Sequence, residues 1–60
     1  MLLIEKLITT QAKKFEVYDM CEGVIYETDN KYYLYNTKVS ERKITAMGCD
    51  NEHLLLVEVR

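Results

Sequence analysis

GVIYETDNKYYLYNT, residues Gly23–Thr37, sets two aromatic and β-branched runs on either side of a turn cluster. Val24–Tyr26 and Tyr32–Tyr35 suit the pleated, half-buried surface of a sheet. Between them, Thr28-Asp29-Asn30-Lys31 supplies turn residues: Asn tolerates left-handed backbone, and Asp bonds its own backbone two residues on. A two-residue or a four-residue loop gives the same register, with Glu27 opposite Tyr32. That hairpin puts Val24, Tyr26, Tyr33 and Tyr35 on one face and Ile25 and Leu34 on the other. Facing pairs such as Tyr26–Tyr33 contribute roughly 0.2–1 kcal/mol each.

Upstream, Lys14–Met20 alternates Phe15 and Val17 against Glu16 and Tyr18, which reads as a strand, and Gly23 permits a bend after it. Residues 1–14 admit two readings. As a helix, Leu3, Ile4, Leu7, Ile8, Ala12 and Phe15 share a face. As a strand, Leu2, Ile4 and Ile8 oppose Leu3 and Leu7. The β-branched Ile4, Ile8, Thr9 and Thr10 lower helix propensity and tilt the choice towards the strand.

Downstream, Val39, Ser40 and Ile44 imitate a hydrophobic staple around a helix N-cap, but position 43 is Lys, so no capping box forms. A second hairpin claims the same residues. Centred on Asp50-Asn51, it pairs Met47 with Leu54 and Ile44 with Val57. Ile44, Ala46, Leu55, Val57 and Val59 then share one face. The consistency of that face favours the hairpin.

These segments predict a single small domain, 1–60, that is mainly β: a five- to six-stranded meander sheet or an SH3-like barrel. The latter is an analogy of architecture and carries no activity. The alternative is α+β, with an N-terminal helix over 1–14 packed on a four-stranded antiparallel sheet.

Sixty residues bury only about 60% of the surface exposed on unfolding. Such a core supplies about 3–5 kcal/mol, and the chain is short for an enclosed catalytic cleft. The net charge is −2 with both signs interspersed, so composition gives no support to phosphate-backbone binding. Glu16, Asp19, Glu22, Glu27 and Asp29 follow one another without an intervening base, as a solvated face or an acidic patch facing a basic partner. The apolar run of MLLIEKLITTQ is broken by Glu5-Lys6 without a basic leader, and no stretch approaches a membrane span, so a cytoplasmic protein is expected.

The chemistry-bearing residues are few. Cys21, Asp19, Cys49 and His53 form the one metal-like grouping, but paired C-x₂₋₄-C or H-x₃₋₅-H ligands are missing. The two cysteines read as reduced thiols. Gly23 and Gly48 alone make no phosphate loop. No catalytic residue, metal site, cofactor or small-molecule substrate is assigned, and the expectation is a protein that is not an enzyme.

Apolar surplus points to partners instead. Leu54-Leu55-Leu56 places leucines on both faces of a strand, and a small rolled sheet has one inside. Leu54 and Leu56 are therefore assigned to an oligomer interface, each worth roughly 1.5–3 kcal/mol when covered. Tyr26, Tyr33 and Tyr35 are assigned to partner binding, since Tyr is enriched in interfaces. The functional expectation is an interaction module: a small accessory or modulator protein acting on a protein partner or as a homodimer. The alternative is a small β-barrel that stacks single-stranded nucleic acid on the tyrosine face.

Overall fold

In a computed structural model describing residues 1–60, alternation governs the central strands. Along Lys14–Asp19 (β1), Phe15 and Val17 are buried while Glu16 and Tyr18 are half-buried on the other side. Along Leu54–Val59 (β4), Leu55, Val57 and Val59 are buried, with Leu54, Leu56 and Glu58 opposite. These two strands pair in parallel, Phe15 beside Leu55 and Val17 beside Val57, so their buried residues form one layer. Gly23–Thr28 (β2) pairs antiparallel with β1, and Ile44–Asp50 (β3) antiparallel with β4, giving the order β2-β1-β4-β3.

The chain is mainly β, and in the α+β form: a helix, Leu3–Thr9 (α1), packs on a four-stranded sheet. Four strands replace the five or six of a meander. The sheet is mixed because β1 meets β4 in parallel, and its outer strands β2 and β3 do not pair with each other, so it does not close into a barrel.

The strand reading of the N-terminus yields to a helix shorter than 1–14. Leu3 and Leu7, four residues apart, are fully buried, and their contribution outweighs the propensity cost of Ile4 and Ile8. The Glu5 carboxylate accepts a hydrogen bond from the Leu2 N–H at 2.7 Å, half of a capping box without a polar N-cap. Leu2 itself bridges to Lys43, and the Ile44 N–H donates to the Met1 carbonyl, so extended chain leads into the helix. Lys6 pairs with Asp50 at 2.5 Å, tying α1 to the end of β3.

The first predicted hairpin keeps its leading strand, as β2, and loses its second. Lys31–Tyr35 is a five-residue helix (α2). Asn30, read as a turn residue, is its N-cap: its Oδ1 accepts from the Tyr32 N–H at 3.0 Å. At the other end the Asn36 side chain donates to the Tyr32 carbonyl, and Thr37 Oγ1 donates to the carbonyl of Leu34. Leu34 is fully buried, and the single turn lets it plug the core while Tyr32 and Tyr33 stay exposed. β2 pairs with β1 instead, across a turn in which Asp19 Oδ1 accepts from the N–H groups of Cys21 and Glu22. Gly23 closes that turn at φ 80, a conformation that favours glycine.

The staple-like Val39-Ser40 segment forms a 3-10 turn, Lys38–Glu41, with both residues buried. Ser40 Oγ donates to the Thr37 carbonyl at 2.9 Å, so the hydroxyl is satisfied there. The β3–β4 hairpin is present with a different register. Asp50 opposes Leu55, Met47 opposes Val57 and Ile44 opposes Val59, with irregularities at Thr45 and Gly48. The turn is carried by Asn51, whose Oδ1 accepts from the N–H groups of His53 and Leu54, rather than by Asp50-Asn51 as a symmetric loop. Ile44 still joins Leu55, Val57 and Val59 on the core side; Ala46 turns to the other face, opposite Glu58.

Candidate interaction surface

Helix α1, Leu34 of α2 and Val39 of the 3-10 turn share one core with Phe15, Val17, Leu55, Val57 and Val59. By alternation they all lie on one side of the sheet. The opposite face carries no helix. Its central rows follow from the register. Lys14 lies beside Leu54; Glu27, Glu16, Leu56 and Cys49 run across the four strands; Val24, Tyr18, Glu58 and Ala46 form the next row. Leu54, Leu56 and Tyr18 are half-buried only by their neighbours in the sheet, and Val24 is 47% exposed. This is the face that the apolar surplus of Leu54-Leu55-Leu56 leaves uncovered. The N-terminal helix occupies the other one.

The face carries charge as well as apolar surface. Glu16, Glu27 and Glu58 stand on it with Lys14, whose Nζ lies 3.6 Å from Glu27, and the same alternation places Lys43 and Arg60 at its far end. Glu58 Oε1 accepts from Thr45 Oγ1 at 3.0 Å. Glu16 sits on a central strand, half-buried, and its carboxylate has no hydrogen-bond or ion-pair partner within the chain. A shallow groove of about 280 Å³ runs beside Leu56, lined by Tyr18, Ala46, Gly48 and Glu58 among others. At Gly48 the Leu56 side chain packs directly on the backbone: a Cβ there would lie 2.5 Å from Leu56 Cδ2. The groove is open-sided and suits a protruding side chain better than an enclosed ligand.

The sequence-assigned tyrosines fall on the helical side. Tyr26 of β2 meets Tyr33 of α2 edge-to-face, ring centres 5.9 Å apart. The partners are those of the expected hairpin, reached from a helix. Tyr35 separates from them and pairs instead with Tyr32, 5.6 Å between centres. Tyr26 and Tyr35 pack against the core, whereas Tyr33 is 53% exposed and Tyr32 more so. The three tyrosines thus do not form one flat platform. A second groove, between Ile25, Tyr26, Lys38, Val39 and Arg42, opens on this side.

Arg42 is already committed: its guanidinium pairs with Asp19 and also donates to the Arg60 carbonyl at 3.0 Å. The hydrogen bond from Arg42, and then that from the Cys21 N–H, holds the Asp19 carboxyl below its ordinary value. This ion pair links the β1–β2 turn to the start of β3 and serves the fold.

The metal-like grouping is dispersed. Cys21 and Asp19 lie at the C-terminal end of β1; Cys49 and His53 flank the start of β4, which is parallel to β1. The two ends are separated by most of a strand, roughly 15–20 Å. Cys21 and Cys49 are free thiols, the former exposed and the latter half-buried beside Asn51, and no group of three metal-ligating side chains forms. No helix is long and apolar enough to cross a membrane.

The chain matches no protein-family model, no curated protein and no solved structure. Sequence reasoning assigned Leu54 and Leu56 to a contact but missed Tyr18, Glu16, Glu58 and Gly48 beside them. The alternation of β1 placed Glu16 and Tyr18 opposite Phe15 and Val17. What joins them to Leu56 is the parallel β1–β4 pairing, which no short-range pattern encodes.

Proposed function

We propose that this chain is a non-enzymatic, cytoplasmic protein-interaction module that docks a protein partner on the open face of its sheet. One observation carries the reading: Leu54, Leu56 and Tyr18 stand on the two central strands without a covering layer. Covering an apolar side chain contributes roughly 1.5–3 kcal/mol, which for this chain rivals the whole stability of the fold. The separation of Cys21, Asp19, Cys49 and His53 supports a role without catalysis, and the free thiols are consistent with a reducing compartment. Tyr33, with Tyr32 beside it, is a secondary contact on the helical side. The nucleic-acid reading draws less support, because Glu16, Glu27 and Glu58 offset the bases of the open face and leave no basic track for phosphates.

The test is site-specific photo-crosslinking in cells. A benzophenone side chain is placed at position 56, on the open face, and separately at position 8, on the exposed back of α1. The expected result is a discrete adduct from position 56, competed by untagged chain and missing from position 8. Equal adducts from both positions, or none from position 56, would overturn the proposal.

A further inference from the structure

We infer that the occupant of the open face is a second copy of this chain, joined across a two-fold axis that runs along the apolar stripe of the sheet. This inference rests on the reading of that face as the docking site and names the partner.

The charges of the face are divided between two opposite corners. Near the start of β1, on the β2 side, Glu16 and Glu27 stand against the single base Lys14. At the end of β4, on the β3 side, Lys43 and Arg60 stand against the single acid Glu58. The remaining acids of these strands serve the other side of the sheet, Asp19 with Arg42 and Asp50 with Lys6 of α1. Lys14 already meets Glu27, and Glu58 accepts from Thr45. Glu16 in one corner, and Lys43 and Arg60 in the other, have no ion-pair partner within the chain. Leu56, Tyr18 and Val24 run between the corners, diagonally across β4, β1 and β2.

Such a face is its own complement. A half-turn about a line laid along that stripe carries the acidic corner of each copy onto the basic corner of the other. Both contacts form at once, because a two-fold interface uses one patch twice. Opposite charges then meet at each end of the interface, which fixes the register. Leu56 and Tyr18 pack near their own counterparts on the axis. The second copy supplies the cation that Glu16 lacks and the carboxylates that Lys43 and Arg60 lack. Four strands spaced about 4.8 Å apart and about 20 Å long make a patch of about 400 Å² in projection, at the small end of specific interfaces. A dimer that forms at micromolar concentration is expected from it.

Sedimentation equilibrium of the full chain, from about 1 to about 500 µM, tests this with two charge-reversed variants. The chain is expected to pass from monomer to dimer within that range, and added salt should weaken the dimer. Leu56→Lys should weaken it at least about tenfold, whereas Ile8→Lys on the back of α1 should leave it unchanged. Glu16→Lys/Glu27→Lys reverses the acidic corner, and Lys43→Glu/Arg60→Glu reverses the basic one. Each variant alone should lose at least about tenfold in affinity. Their equimolar mixture should form a heterodimer with about the wild-type affinity, since its reversed corners face each other and so do its native ones. Glu27, Lys43 and Arg60 are exposed, so Glu27→Lys alone serves as the mixing partner if the Glu16 variant fails to fold.

A chain that stays monomeric throughout, while position 56 crosslinks a different protein, would overturn the second copy and leave the docking face standing. A monomer without any adduct from position 56 would overturn both. A dimer indifferent to Leu56→Lys and to the charge reversals lies on another surface and would overturn the inference. A mixture of the two variants that remains monomeric would overturn it as well.

Discussion

Leu7→Ala separates the helix from the strand reading of the N-terminus when set beside Ile8→Ala. In a strand these neighbours would lie on opposite faces of an apolar segment, and each truncation would cost something. In the structure Leu7 is 0% exposed and Ile8 is 67% exposed. Removing a fully buried leucine costs about 2–5 kcal/mol, because the cavity adds to the lost transfer energy. An exposed truncation stays within about 0.5 kcal/mol. At about 3 kcal/mol the Leu7 variant would lose roughly 12–24 °C in melting temperature. From a starting stability of about 4 kcal/mol, the remaining 1 kcal/mol leaves about one molecule in six unfolded at 25 °C. Urea denaturation followed by circular dichroism reads both variants. Leu7→Met, which keeps the volume, should cost less than about 1.5 kcal/mol and keeps the comparison measurable if the alanine variant fails to fold. Similar losses for Leu7→Ala and Ile8→Ala would refute the placement of α1.

Asn30→Ala removes the cap of α2 and should cost about 1 kcal/mol, with Asn30→Ser largely restoring it; urea midpoints decide. Gly23→Ala forces a Cβ into φ 80 and should destabilise by about 1–2 kcal/mol although nothing lies within 4 Å of that Cβ; equal stability would show that the turn relaxes. Asp19 has a carboxyl pKa lowered by Arg42 and by the Cys21 N–H, so its contribution is fully present above the unfolded value near 3.9. It is lost as pH falls through the lower folded value. Asp19→Asn should therefore flatten the loss of stability below about pH 4 while lowering stability at pH 7; denaturation curves at both pH values test the sign.

Strands that declared themselves by alternation were legible: Phe15 and Val17 in β1, and Leu55, Val57 and Val59 in β4, face the core as their spacing predicts. α2 was not legible, since the three tyrosines of KYYLY favour strand, and it is helical because Asn30 caps it and Leu34 fills the core. Propensity lost to one buried side chain. At the N-terminus the helical face was visible in Leu3 and Leu7, but the missing polar N-cap hid the start, and Glu5 was the signal that could have marked it. The β3–β4 register moved because Gly48 and Thr45 break the ladder, and a symmetric turn cannot anticipate an irregularity. For the candidate site, Leu54 and Leu56 stood out as excess apolar surface. Their charged surroundings depend on which strand lies next to β4, which is tertiary information.

The parallel pairing of β1 with β4 also sets the order in which the molecule can assemble. The β1–β2 and β3–β4 hairpins are local, but β1 ends at Asp19 and its central partner begins at Leu54. Loop closure must come before those contacts reward it, so the joining of two hairpins is the slow step. During synthesis Phe15 and Val17 lie on a strand whose second edge stays unpaired until the last strand emerges. Through most of translation the nascent chain thus exposes a β-edge and half of its eventual core, the kind of surface that chaperones hold and that other nascent chains can join.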